Sequence, residues 1–370
     1  MKRHICYVVP PHILDKLAQH PEHRERAMRA LVESARLRGR RDVLAQFASV
    51  LAVPAGTKRR TIYDAQHQTQ LPGNLVRGEG DDPVRDTAVN EAYDYAGDTY
   101  DFYMTAYQRN SIDDRGMRLD STVHYDQQFD NAFWDGRQMV YGDGDETIFD
   151  RFTKCLDVIG HELTHGVTAA TAGLNYSGQS GALNESMSDV FGSLVKQMKL
   201  GQTADQADWL IGRGLLMPNI QGVALRSMKD PGTAYNDPLL GEDPQPAHMS
   251  DYDDTTADNG GVHINSGIPN KAFCLTALQI GGNAWERAGR IWYVTLTQRL
   301  QATSDFQDAA NQTYDVAGVL FGQSSPEQQA VGDGWSKVGI NAGTASGGAG
   351  SVAAARAVAA VAATKKAKAS

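Results

Sequence analysis

His161 and His165 stand four residues apart in the stretch His161-Glu162-Leu163-Thr164-His165. On a helix that spacing puts both imidazoles on one face, one turn apart. There they can grip one zinc ion, and the carboxylate of Glu162 can reach a water at the same metal. A zinc with three protein ligands keeps a position for that water, so the pattern predicts hydrolysis. Glu162 is the residue placed to take the water's proton and pass it to the leaving group.

A third ligand is sought further along the chain. Glu185 lies in Gly181-Ala182-Leu183-Asn184-Glu185-Ser186-Met187-Ser188-Asp189, which reads as a second helix from Asn184. A lone helical glutamate is ordinarily a solvated carboxylate. Beside the zinc pattern it completes a His, His, Glu set, and Asn184 and Asp189 are then placed to orient the two imidazoles. A third segment runs Asp258-Asn259-Gly260-Gly261-Val262-His263-Ile264-Asn265. Its paired glycines permit backbone angles that turn a side chain into a cleft. His263 there could stabilise a developing oxyanion, with Asp258 holding its tautomer.

The elements that must position these groups follow from pattern and composition. The chain has 370 residues, 41% hydrophobic and 21% charged, enough for two lobes around a cleft. No run of about 18 apolar residues occurs, so no membrane span is expected. Residues 61–150 are rich in Tyr, Thr, Val and turn residues, with one helical stretch near 86–110, and predict a β-rich lobe. Residues 151–340 carry helical patterns and predict a mainly α lobe. Residues 21–41 read as an amphipathic helix, Pro21 in its first turn and Met28, Leu31, Val32 and Ala35 its apolar stripe. Leu51 to Arg60 is small and basic, an expected exposed cleavage region. The segment beyond Ile340 is Gly- and Ala-rich, of low complexity. Cys6, Cys155 and Cys274 make no disulfide framework.

Charge divides the chain. Residues 1–60 carry 13 Lys and Arg against 5 Asp and Glu, residues 61–340 carry 18 against 39, and the last thirty carry four basic residues and no acid. A basic head on an acidic body predicts docking of one on the other. Nucleic-acid binding by the head is the rival, and no motif or aromatic platform supports it.

Taken together, these residues closely resemble the thermolysin-like zinc metallopeptidases, from about Tyr63 to Ile340. Asn131-Ala132-Phe133-Trp134-Asp135-Gly136 and the following Gln138 to Asp145 resemble the family's substrate-binding edge strand and loop. Thr171 to Tyr176 and Leu225 to Pro231 match its active-site tyrosine and arginine segments. The resemblance implies an α+β, two-lobed fold: a β-rich N-terminal lobe over 56–168 ending in the zinc helix, an α-helical lobe over 169–341, and the zinc site in the cleft between them. It implies that Tyr176 joins His263 at the oxyanion, that Asn131 and the backbone of Ala132 hold extended substrate, and that Arg226 supports a substrate carbonyl. Phe149, Phe152, Val158, Ile211 and Leu225 are matched to the pocket after the scissile bond, implying a hydrophobic residue there. Phe152 is bulkier than the aliphatic side chain usual at its position.

Pro10-Pro11-His12-Ile13-Leu14 resembles the short propeptide of the protealysin branch, so residues 1–55 are expected to form an inhibitory propeptide and 342–370 a tail. The prolines would hold the segment extended in the cleft, and Cys6 could place a thiolate on the metal. Secretion is implied by the resemblance, but the apolar run before Pro10 is too short for the usual signal, leaving the export route open, in part cytoplasmic. Protein and peptide substrates are the expected partners, and a monomer the expected form. The family's double calcium site is expected to be lost: Asp157 and Asp208 remain, but Lys196, Leu210 and Arg213 stand at the other positions. Calcium elsewhere among the aspartates stays open. Two rivals are a binding protein on a peptidase scaffold and a structural zinc site. Glu162 and His263 argue against the first, and the lack of a fourth, thiolate-type ligand against the second.

Overall fold

The computed structural model describes residues 6–32 and 56–343. A six-stranded sheet carries one side of the cleft, built from β1 (Cys6–Tyr7), β2 (Arg60–Asp64), β3 (Asn74–Gly78), β4 (Leu119–Val123), β5 (Ala132–Trp134) and β6 (Met139–Tyr141). Its order is β1-β5-β6-β4-β2-β3. Strands β2, β4 and β6 are neighbours and parallel, so the loops leaving their carboxyl ends lie side by side. The remaining pairings are antiparallel.

Eight helices of the body follow the head's two, α1 (Pro11–Leu17) and α2 (residues 24–32). Helix α3 (Thr87–Tyr107) starts where Asp86 accepts hydrogen bonds from the N–H groups of Ala88 and Val89. Helices α4 (Leu156–Ala170) and α5 (Gly178–Leu200) cross the centre, and every residue of α4 from Leu156 to Thr168 is buried. The crossing is closer than side chains normally allow. A Cβ on Gly160 would come within 3.1 Å of the Gly192 Cα, and one on Gly192 within 2.9 Å of the His161 amide nitrogen. Two glycines therefore bring the metal-ligand face of α4 against α5. Helices α6 (Asp258–Asn265), α7 (Gly267–Ile280), α8 (Ala288–Gln298), α9 (Phe306–Phe321) and α10 (Pro326–Ser336) complete the helical lobe. The fold is thus the β-containing lobe and helical lobe that the sequence implied. No helix among the described residues is long and apolar enough to cross a membrane.

Three local expectations are corrected. Helix α5 starts at Gly178, not Asn184, with Ser177 before it, so Asn184 and Glu185 sit inside the helix. In the head, 21–23 form a turn and the helix starts at 24. Met28 and Val32 are exposed, while Ala27 and Ala30 are buried and Leu31 packs partly buried against the core: the helix turns its alanine side and only Leu31 of its bulkier stripe to the body, and Ala35 lies outside the described residues. The proline pair does not run extended through the cleft. Pro10 is extended and Pro11 opens α1, a position where a missing N–H costs nothing. The prolines end the extended segment and start a helix whose Ile13, Leu14 and Leu17 are buried.

Candidate metal centre and peptide groove

Helix α4 supplies His161 and His165 and helix α5 supplies Glu185, all three buried. Their facing atoms converge. The two Nε2 atoms are 3.0 Å apart, His161 Nε2 is 3.4 Å from Glu185 Oε2, and His165 Nε2 is 3.5 Å from Glu185 Oε1. Donor atoms around a tetrahedral zinc lie about 3.3 Å apart, so these separations bracket the required spacing.

The other ring nitrogens decide the tautomers. His161 Nδ1 lies 2.7 Å from Asp189 Oδ1, an acceptor only, so Nδ1 carries the proton and Nε2 a lone pair. His165 Nδ1 lies 2.9 Å from Asn184 Oδ1, while the Asn184 amide nitrogen donates to the Leu174 carbonyl. Two imidazole lone pairs and a carboxylate thus face one point in a buried site. With both rings neutral, a cation at that point satisfies all three groups at once. The residues present fit zinc.

Glu162 is next to this point and fully buried, and burial pushes its pKa up to about 8. Its Oε2 accepts from the Trp134 amide at 2.9 Å, and Oε1 has no hydrogen-bond partner among the described residues. One oxygen is anchored to strand β5 and the other is left to receive a proton.

Helix α6 brings His263 to the same place. Asp258, Asn259, Gly260 and Gly261 all have positive φ, and this left-handed run swings the chain so that Asp258 Oδ1 meets His263 Nδ1 at 2.7 Å. Burial opposes charge on His263, but Asp258 and Glu185 raise its pKa to about 9. Tyr176 OH is 3.1 Å from His263 Nε2 and hydrogen-bonds Glu185 Oε1. Arg226, on the two-residue strand β7 (Arg226–Ser227), grips Asp189 with Nε and Nη2, both at 2.9 Å. Burial alone would raise Asp189, but Arg226 and His161 hold it below the usual carboxylate range.

The head lies across this site as an added strand. Cys6 pairs with Trp134 and Tyr7 with Phe133 on β5. Val8 N–H donates to the Ala132 carbonyl at 3.2 Å, and Val9 N–H to Asn131 Oδ1 at 2.9 Å. The Tyr7 carbonyl is 3.1 Å from His263 Nε2, and the Val8 carbonyl accepts from Arg226 at 3.1 Å. Arg26 of α2 forms an ion pair of 2.7 Å with buried Asp145. Phe149, Phe152, Val158, Ile211 and Leu225 are all buried, and the Phe149 and Phe152 rings are 5.8 Å apart. The Cys6 side chain, residues 33–55 and the tail lie outside the described residues.

Three partners escaped the sequence reading. Ser188 Oγ is 3.0 Å from His165 Nδ1, Asn270 donates to Asp189 at 2.9 Å, and Gln245 donates to the His263 carbonyl at 2.8 Å. Ser188 sits one turn past Glu185 on α5, and Asn270 two turns past His263. Helical spacing from known site residues could have found both.

A family model described as thermolysin metallopeptidase, catalytic domain, matches residues 53–169, and one described as thermolysin metallopeptidase, alpha-helical domain, matches 172–340. An extracellular metalloprotease of Pectobacterium carotovorum subsp. carotovorum is 52% identical over 341 residues, covering 91% of this chain and 97% of that protein. Protease PrtS of Photorhabdus sp. (strain Az29) is 53% identical, covering 78% of each. The solved precursor of protealysin, a metalloproteinase from Serratia proteamaculans, superposes with a TM-score of 0.83 at 51% identity, covering 90% of this chain and 99% of that one.

Proposed function

The chain belongs to the thermolysin metallopeptidases and is a metalloendopeptidase, and from that premise we propose that it is made as a precursor whose head, residues 1–55, fills its own peptide groove. The observation that carries this reading is the seating of Tyr7, Val8 and Val9. Their backbone takes the hydrogen bonds of Ala132, Asn131, His263 and Arg226, the groups proposed to hold substrate. Adding a strand to a sheet edge is a general mode of peptide recognition.

Once the head leaves, the same groups serve a substrate. His161, His165 and Glu185 would hold a zinc ion, which when bound would supply Lewis acidity for a water and for the scissile carbonyl. Asp189 and Asn184 lock the imidazole tautomers. Glu162, tethered by the Trp134 amide, takes a proton on its other oxygen and returns it to the leaving amine. His263 and Tyr176 donate to the oxygen on which charge develops, with Asp258 fixing the ring of His263. Asn131, Ala132 and Arg226 hold the substrate backbone extended. Phe149, Phe152, Val158, Ile211 and Leu225 receive a hydrophobic side chain just after the cut. Casein digestion with product sequencing tests this. Cuts before Leu, Ile, Phe or Val are expected, and cuts before charged residues at equal rate would refute the pocket assignment.

His263→Ala should keep its zinc and lose kcat by roughly 10²–10³-fold, with KM little changed, as for the loss of one oxyanion donor. An unchanged kcat would remove His263 from the reaction. Export is proposed on the strength of relatives named as extracellular proteases, and recovery of the protein only from cell lysate would count against it.

We also propose that an ammonium group replaces the family's double calcium site. Lys196 Nζ lies 2.8 Å from Asp157 Oδ2, 3.0 Å from Asp208 Oδ1 and 2.7 Å from the Leu210 carbonyl. Arg213 pairs more loosely with Asp208, at 3.5 Å. Three oxygens around one half-buried ammonium are part of the oxygen shell that a calcium ion would otherwise gather. Thermal stability should depend little on calcium at this site, and Lys196→Met should cost about 3 kcal/mol by leaving Asp157 buried and unpaired. A calcium-selective chelator that lowers Tm by many degrees, with zinc kept saturated, would overturn the replacement.

A further inference from the structure

We propose that His67, His124 and Asp143 form a second divalent-cation site, suited to zinc, at the carboxyl ends of strands β2, β4 and β6. The three residues are separated by 57 and 19 positions in the sequence, and the parallel strands are what collect them. His67 follows β2, His124 follows β4 directly, and Asp143 follows β6, on three neighbouring strands that run the same way. The His67 N–H donates to the His124 carbonyl at 2.9 Å, which ties the first two loops together.

The donor atoms already converge. His124 Nδ1 is 2.9 Å from each oxygen of Asp143, and His67 Nδ1 is 3.5 Å from Asp143 Oδ2. The candidate ligand atoms all lie within 4.8 Å of one another. These separations bracket the roughly 3.3 Å edge of a zinc tetrahedron. The group behind the ligand is also in place. Asp86, at the start of α3, lies 2.8 Å from His124 Nε2, so it can hold that nitrogen's proton, fix the ring and turn Nδ1 toward the metal. Two imidazoles and one carboxylate select zinc or a neighbouring transition metal over calcium or magnesium, which prefer oxygen alone. The His67 side chain is 54% exposed and that of Asp143 27%, leaving an open side for entry and for water as the remaining ligand.

Without a metal, a proton on His124 serves the same two carboxylates. The hydrogen bond with Asp143, against burial and with help from Asp86, raises its pKa to about 9. His67 adds a second imidazole beside Asp143 that the contacts of His124 with Asp143 and Asp86 do not require.

The test compares zinc uptake by the full chain with that of His67→Ala and Asp143→Asn. Each protein is equilibrated with excess zinc chloride, freed of loose ion by gel filtration in metal-free buffer, and its zinc counted by plasma mass spectrometry. The expected result is one zinc fewer per chain in each variant, with peptidase activity after processing and Tm before zinc addition retained in His67→Ala. Added zinc should further raise the Tm of the wild type and leave that of His67→Ala unmoved. Equal zinc counts in the wild type and both variants, whether one ion or two, would overturn the proposal. A zinc-edge anomalous map placing the second ion away from His67 and Asp143 would do so too.

Discussion

Glu162→Ala is expected to bind zinc as the wild type does and to lose peptidase activity by roughly 10²–10⁴-fold. The proposed metal ligands are His161, His165 and Glu185, and none of them shows a hydrogen bond with Glu162. Its carboxylate instead leans on the Trp134 amide through one oxygen and leaves the other without a hydrogen-bond partner among the described residues, in a fully buried site. Truncation to alanine removes the proton acceptor, leaves the zinc geometry alone and frees one amide at the edge strand. Zinc counting and peptide hydrolysis on the same preparation separate the two consequences. A variant that retains zinc and cleaves near the wild-type rate would sink the assignment of Glu162 as the base.

The second large effect concerns the head. A chain shown intact by mass spectrometry should be slower than one lacking residues 1–55 by about 10³-fold. A tethered segment faces its groove at an effective concentration on the order of millimolar. Even a micromolar intrinsic affinity then leaves roughly one molecule in 10³ open. The contacts support at least that affinity. Val8, Val9, Ile13, Leu14 and Leu17 of the head are all buried, each such side chain contributing about 1.5–3 kcal/mol. Leu14→Asp should therefore raise the activity of the uncut chain, because a carboxylate cannot stay where Leu14 is buried. An intact chain as fast as the shortened one would end the precursor reading, whatever the Leu14 variant did.

The site was legible in the sequence to the extent that local geometry controls it. Two histidines at one-turn spacing, Glu185 on the next helix and the Gly260-Gly261 pair before His263 are each a short-range pattern. The structure brings all of these residues together. What was not legible depends on which surfaces meet. Helix α2 carries both a bulky stripe and a small one, and only the body's shape selects Ala27 and Ala30 over Met28 and Val32. The close approach of α4 and α5 needs Gly160 and Gly192 to coincide across 32 residues of sequence, which no single-helix pattern displays. His67, His124 and Asp143 come from three separate strand ends and carry no common motif. Only the parallel order of β2, β4 and β6 makes them neighbours.

Metal removal tests the central claim most directly. The processed protein, stripped with a zinc chelator and checked for retained fold by circular dichroism, is assayed on a peptide with a central Gly-Leu bond. It is assayed again after zinc is restored. Negligible cleavage is expected when stripped, recovery at the Gly-Leu bond on adding zinc, and no recovery for Glu162→Ala given the same zinc. Hydrolysis by the folded, zinc-free protein at the rate of the zinc-replete one would contradict it.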